Sequence, residues 1–107
     1  MNPQFKKGVL ELCVLAVVGH VDTYGYELVE RISRHVEVSE GTIYPLLRRL
    51  TKDGCFETYL AESTGGPPRK YYRLTHKGMM LKETLEAQWG ALVAGVERVL
   101  DERGRRA

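Results

Sequence analysis

Cysteine is scarce in this chain, with two residues in 107, Cys13 and Cys55. They form no C-x-x-C pair and have no ligand-like spacing to His20, His35 or His76, which argues against a disulfide framework or a thiolate metal site. Aromatic residues make up only 8% and include a single tryptophan. Neither charge sign dominates: sixteen Lys and Arg stand against fourteen Asp and Glu, for a net charge of +2. That balance excludes a histone-like polycation but leaves room for a local basic patch. Long apolar runs are missing as well. The longest, Val9 to Val18, is broken by Glu11 and is too short to span a bilayer. Lys6 and Lys7 precede it, yet no small-residue cleavage site follows, so no secretory signal is expected. With 43% hydrophobic and 28% charged residues, the composition is that of one globular domain. The expectation is a cytoplasmic protein of a reducing compartment, with Cys13 a buried thiol and no membrane contact.

Periodicity supplies the elements. Val9 to Val18 is apolar nearly all round and predicts a central helix ending at Gly19. Thr23 is placed as N-cap of a second helix, in which Leu28, Val29, Ile32 and Val36 recur at helical spacing. After a short break at Glu37 and Val38, Ser39 caps a third helix that ends at Gly54. Its Ile43, Leu46, Leu47 and Leu50 form one stripe. Tyr44, Pro45, Arg48 and Lys52 lie opposite, with Thr42 and Arg49 at one edge. Pro45 suits a helix interior badly, so either the regular helix begins near Thr42 or its first turn is irregular.

The period then changes to two. Phe56, Thr58 and Leu60 alternate with Glu57, Tyr59 and Ala61, and further on Tyr72 and Leu74 alternate with Tyr71 and Arg73. Tyr72 and Leu74 are expected to face the core. Between the two runs, Ser63 to Pro68 is a dense breaker cluster, which predicts a two-stranded hairpin with a loose tip. Thr75 caps a last helix from His76 to about Arg103, followed by a basic, frayed tail. Leu81, Leu85, Trp89, Leu92, Val96 and Val99 form a heptad-like seam along it. Such a helix is about 40 Å long, about twice the core of so small a domain, so its far end needs another surface as cover.

The expected fold is therefore mostly α with a two-stranded β-hairpin: a winged helix-turn-helix with a long C-terminal dimerisation helix. Residues 1–75 would form the winged part and residues 76–107 the dimerisation helix and tail, as one structural unit. Charge follows that plan. From Arg31 to Lys77 nine basic residues face five acidic ones, whereas the rest of the chain has two more acids than bases. A winged helix presents the polar face of its third helix to the DNA major groove, and phosphate binding requires that surplus. Enzyme and metal readings find no support, because the three histidines lie on different elements and no phosphate loop or nucleophile elbow is present. No cofactor is expected.

Two blocks then carry a family resemblance. Gly41-Thr42-Ile43-Tyr44-Pro45-Leu46-Leu47-Arg48-Arg49-Leu50 and Gly66-Pro67-Pro68-Arg69-Lys70-Tyr71-Tyr72-Arg73-Leu74-Thr75, with Tyr24-Gly25-Tyr26-Glu27-Leu28, Lys52-Asp53-Gly54 and Gly78, resemble the PadR family of bacterial transcriptional regulators. The length and the single C-terminal helix are similar to its small subfamily. The resemblance implies a homodimeric, ligand-responsive repressor that binds an inverted repeat in double-stranded DNA.

Candidate DNA contacts are Ser39, Thr42 and Tyr44 at the start of the third helix, Arg48 and Arg49 a turn further on, and Arg69 and Lys70 after the hairpin tip. Tyr44 either reaches DNA or packs on Pro45 or the wing. Arg48 and Arg49 either clamp phosphate or read guanine, or else lie on a solvated face. The resemblance also implies that Trp89 stacks on a small aromatic effector at the dimer interface, lined by Leu85 and Val93. Packing of Trp89 in the dimer core is the alternative. Two other classes remain open from the sequence: a winged-helix protein-interaction module, and a small-molecule binder without DNA function.

Overall fold

The apolar run near the start of the chain forms a helix that lends four buried residues to the core. The structure, a computed structural model, describes the backbone of residues 3–102 and the side chains of residues 8–102. Helix α1 spans Pro3–His20, longer at both ends than the apolar run that defines it. Its Leu10, Val14, Leu15 and Val18 are buried, and Leu28 and Ile32 pack against them from helix α2, Gly25–Ser33. Ile43, Leu47 and Leu50 complete this core from helix α3, Glu40–Lys52. The third-helix stripe thus faces inward, with Leu46 only partly buried.

Thr23 does not cap α2. With Tyr24 it forms a short strand, β1, Thr23–Tyr24. The β-branched side chain is fully buried there, and its hydroxyl donates to the Val21 carbonyl at 2.6 Å. It therefore cannot reach the first N–H groups of α2, whose N-cap position is Tyr24, without a side-chain cap bond. Ser39 does hold the N-cap position of α3, but its hydroxyl lies 3.3 Å from that of Thr42 instead of capping the backbone. The Ser39 carbonyl accepts from both the Thr42 and the Ile43 N–H, each at 3.1 Å. The helix therefore does not begin late: it runs as a regular helix from Glu40, with the shared bond common at helix ends, and continues through Pro45, which withholds a donor from the exposed Gly41 carbonyl.

The hairpin consists of β2, Phe56–Ser63, and β3, Gly66–Leu74. It gains a third strand that the sequence did not suggest, since the sheet order is β1-β3-β2 with both pairings antiparallel. Its tip is not a loose loop. Thr64 and Gly65 alone lie between the strands, with Gly65 at φ 75°. Pro67 and Pro68 sit opposite Glu62 at a register shift, a place where a strand tolerates proline. Tyr72 is buried and Leu74 packs on the core as expected. The inward alternation of β2 ends after Phe56: Thr58 is exposed and Leu60 is 71% exposed, because the wing extends beyond the helices.

Helix α4, His76–Glu102, begins with the expected cap. The Gly78 N–H donates to the Thr75 hydroxyl at 3.1 Å, and that hydroxyl donates to the Gly54 carbonyl at 2.6 Å. Lys77 Nζ donates to the Asp53 carbonyl at 2.6 Å. The end of α3 is thereby fastened to the start of α4, across a turn in which Gly54 takes φ 84°. Leu81 and Leu85 pack on the core, whereas Leu92, Val96, Val99 and Leu100 remain 47–67% exposed. The seam is half covered by the protomer and half open, in a molecule 65 Å in its longest dimension. Arg103 and the basic tail lie outside the described residues. Among the described residues, no helix is long and apolar enough to cross a membrane.

Candidate nucleic-acid interface

Helical spacing puts Tyr44 and Arg48 on one face of α3, turned toward the wing. Strand alternation puts Lys70 and Tyr72 together on the inner face of β3. Between them lies a cleft of about 440 Å³, lined by Tyr24, Gly25, Tyr26, Tyr44, Arg69, Lys70 and Tyr72. Tyr44 of α3 thus meets Arg69 and Lys70 of the wing across the cleft, 25 positions apart in sequence for Tyr44 and Arg69, while Ser39, Thr42, Arg48 and Arg49 lie outside its lining. Lys70 Nζ lies 5.7 Å from the centre of the Tyr72 ring.

Tyr44 is partly buried and lines the cleft opposite the wing. Its ring lies over Gly25, where a Cβ would stand 2.6 Å from Cε1. Burial, and then the carboxylate of Glu40, push its phenol above the ordinary tyrosine value. The Tyr72 phenol is also raised, by burial and by Tyr44, against a smaller lowering from Arg48. Both hydroxyls therefore keep their protons at neutral pH and remain hydrogen-bond donors.

The basic residues divide. Arg48, Lys52, Arg69 and Lys70 occupy exposed positions, as do Ser39 and Thr42 at the start of α3. Arg49 points elsewhere: its guanidinium pairs with Glu11 of α1 at 3.4 Å. Arg34 pairs with Glu30 at 3.1 Å and Arg73 with Asp22 at 3.2 Å. Adjacent arginines on a helix point about 100° apart, and here the difference separates a wing-facing Arg48 from a body-facing Arg49. Tyr24, Gly25 and Tyr26 join the cleft unforeseen. Their place depends on β1, whose two residues give no periodic signal.

A second depression, of about 290 Å³, lies between α1 and α4 and is lined by Gly8, Val9, Leu12, Leu85, Gln88, Trp89 and Leu92. Leu85 and Trp89 meet there as the seam suggested, while Val93 lies outside the lining and Leu92 and Gln88 are within it. Burial raises the thiols of Cys13 and Cys55 above their ordinary value, which leaves both protonated at neutral pH. Among the described residues, no three His, Cys, Asp or Glu side chains gather at metal-binding distance.

Three packed helices, a three-stranded wing and a cationic cleft between α3 and that wing define a winged helix-turn-helix protein. The sequence profile of the transcriptional regulator PadR-like family matches residues 14–84, and the chain belongs to that family. It is similar to a PadR-like transcriptional regulator from Bacillus cereus, at 42% identity over 91% of this chain and 96% of that one, with a TM-score of 0.83. It is also similar to the transcriptional regulator Rv3488 of Mycobacterium tuberculosis, 33% identical over 76 residues and 70% of each chain. Bacillus subtilis PadR, solved in complex with operator DNA, shares the fold at a TM-score of 0.64 and 21% identity, over 71% of this chain and 44% of that one.

Proposed function

We propose that this regulator is a homodimeric, ligand-responsive repressor that acts in the cytoplasm on an inverted-repeat operator. The observation that carries the reading is the cleft in which Tyr44 of α3 faces Arg69 and Lys70 of the wing. In it, α3 enters the major groove with Ser39, Thr42, Tyr44 and Arg48, while Arg69 and Lys70 take the flanking phosphates. Arg49, held by Glu11, serves the body of the protein. Operator DNA in the complex of Bacillus subtilis PadR supports duplex DNA as the ligand class.

Residues 1–75 then act as the DNA-binding part and residues 76–107 as the dimerising part. The open half of the α4 seam supports dimerisation, since a monomer would leave Leu92, Val96, Val99 and Leu100 in water. Trp89, 41% exposed beside the groove with Leu85, gives a planar aromatic effector an indole face. An effector lowers DNA affinity only by the extent to which it prefers the helix spacing that does not fit the operator.

The test is selection from a random duplex library at physiological salt. Enrichment of an inverted repeat with half-site centres about ten base pairs apart supports the reading. Weak retention lost on adding salt, with no enriched sequence, overturns it and favours a protein-interaction module.

A further inference from the structure

On the outer face of the wing, strand register builds a row of rings. Tyr24 is paired with Tyr71 and Tyr71 with Tyr59, so three tyrosines stand side by side across three strands. The Tyr59 and Tyr71 rings stack at 5.6 Å with 14° between their planes, and Tyr71 meets Tyr24 edge-on at 5.4 Å. A guanidinium closes each end. Arg73 lies 4.8 Å over Tyr59, and its Nε donates to Asp22 Oδ2 at 3.2 Å. The same oxygen accepts the Tyr59 hydroxyl at 2.6 Å. At the other end, Arg69 lies 4.5 Å over the Tyr24 ring, on the wall of the cleft.

The two end cations differ in their partners. Arg73 is tied to a carboxylate, which anchors the row at the turn before β1. Arg69 lies on the aromatic face of Tyr24 and lines the cleft. We propose that Tyr24 is a positioning residue for Arg69, holding its guanidinium ready at the cleft for a DNA phosphate. This rests on the reading of the cleft as a DNA site. An arginine that must first be ordered loses rotamer freedom on binding, and a planar stacking partner removes part of that loss beforehand. The inference also gives β1 a purpose: two residues of strand suffice to lay the Tyr24 ring beside β3.

The test is a double-mutant cycle in the full chain, read as affinity for the duplex enriched in the library selection. Tyr24→Phe keeps the ring and is expected to bind within about twofold of the parent. Tyr24→Leu is expected to bind about two- to fivefold more weakly, the range of an exposed cation–π contact, and to have no further effect once Arg69→Ala is present. Arg69→Lys keeps the charge without the planar fork and is expected to bind more weakly than the parent. Equal losses from Tyr24→Leu with and without Arg69 overturn the proposal, because Tyr24 then acts through the fold. Equal losses from Tyr24→Phe and Tyr24→Leu also overturn it, because the hydroxyl then touches DNA itself. Should Tyr24→Leu fail to fold by circular dichroism, Arg69→Lys decides, and parental affinity in that variant rejects the proposal. If Arg69→Ala binds the duplex as the parent does, the DNA reading of the cleft falls and the proposal falls with it.

Discussion

The ring of Tyr44 and the backbone of Gly25 occupy adjoining space: a Cβ at position 25 would stand 2.6 Å from Tyr44 Cε1 and 2.9 Å from its hydroxyl oxygen. The first residue of α2 thereby sets the direction of a side chain on α3. A helix-turn-helix needs its two helices at a fixed angle, and here the absence of a side chain at one contact lets them close.

Gly25→Ala should therefore separate stability from binding. The obstructing atoms lie at the end of a half-buried side chain, so the Tyr44 ring can swing into the cleft. Alanine at this first position of α2 recovers only part of the roughly 1 kcal/mol that separates the two residues in a helix interior, which offsets a little of the strain. Thermal midpoints are expected to change by only a few degrees, while operator affinity falls several-fold as Tyr44 leaves its place. A large loss of thermal stability would show that the ring cannot move.

Gly78→Ala should behave in the opposite way. A Cβ there would overlap the Cys55 carbonyl oxygen and stand 2.6 Å from Leu74 Cδ1, and backbone cannot swing aside. Overpacking at such a site costs about 3 kcal/mol, which for a domain of this size lowers the melting temperature by roughly 10 °C or more. A calorimetric scan of the variant measures it. The junction from Asp53 to Gly78 also joins the recognition helix to α4, so residual DNA binding in this variant is expected to fall with its stability.

Much of this was legible in the sequence, and what was not has physical causes. The stripe Ile43, Leu46, Leu47 and Leu50 predicted both the helix and its buried side, because burial follows periodicity over several turns. Thr75 was readable as a cap because a helix of 27 residues follows it at once. Thr23 misled, since a threonine before a helix suits a cap and a strand equally well. Only pairing with Tyr72, almost fifty residues later, decides between them. The position of Arg49 was hidden for a similar reason: its partner Glu11 lies on another helix, and no local pattern connects them.

Arg49 and the wing cations should part company in salt titrations of DNA binding. If the wing cations hold flanking phosphates as proposed, replacing Arg69 and Lys70 together by Ala removes up to two such contacts. The slope of log K against log salt should flatten by up to roughly two units. Arg49→Ala should leave that slope unchanged and cost at most about 1 kcal/mol of stability, because its half-exposed pair with Glu11 is a surface ion pair. Filter binding at several salt concentrations compares the two variants. A flattened slope for Arg49→Ala would place that arginine on DNA after all.

Val96→Glu tests the open half of the seam. Val96 is 47% exposed in the protomer and lies one turn from Leu92 and from Val99 and Leu100, which are also exposed. If two α4 helices cover one another there, a carboxylate at position 96 enters an apolar interface without a partner, at a cost of several kcal/mol. The winged part makes no use of Val96, so the variant is expected to be a folded monomer by sedimentation, with its helical circular dichroism largely retained. Trp89 provides an independent signal within the same chain. A dimer dries the surface around the indole, and dissociation should shift its emission to longer wavelength. Without that interface the spacing of two recognition helices is no longer fixed, so operator binding should drop toward that of a single half-site, while the wing and α3 of each protomer remain intact.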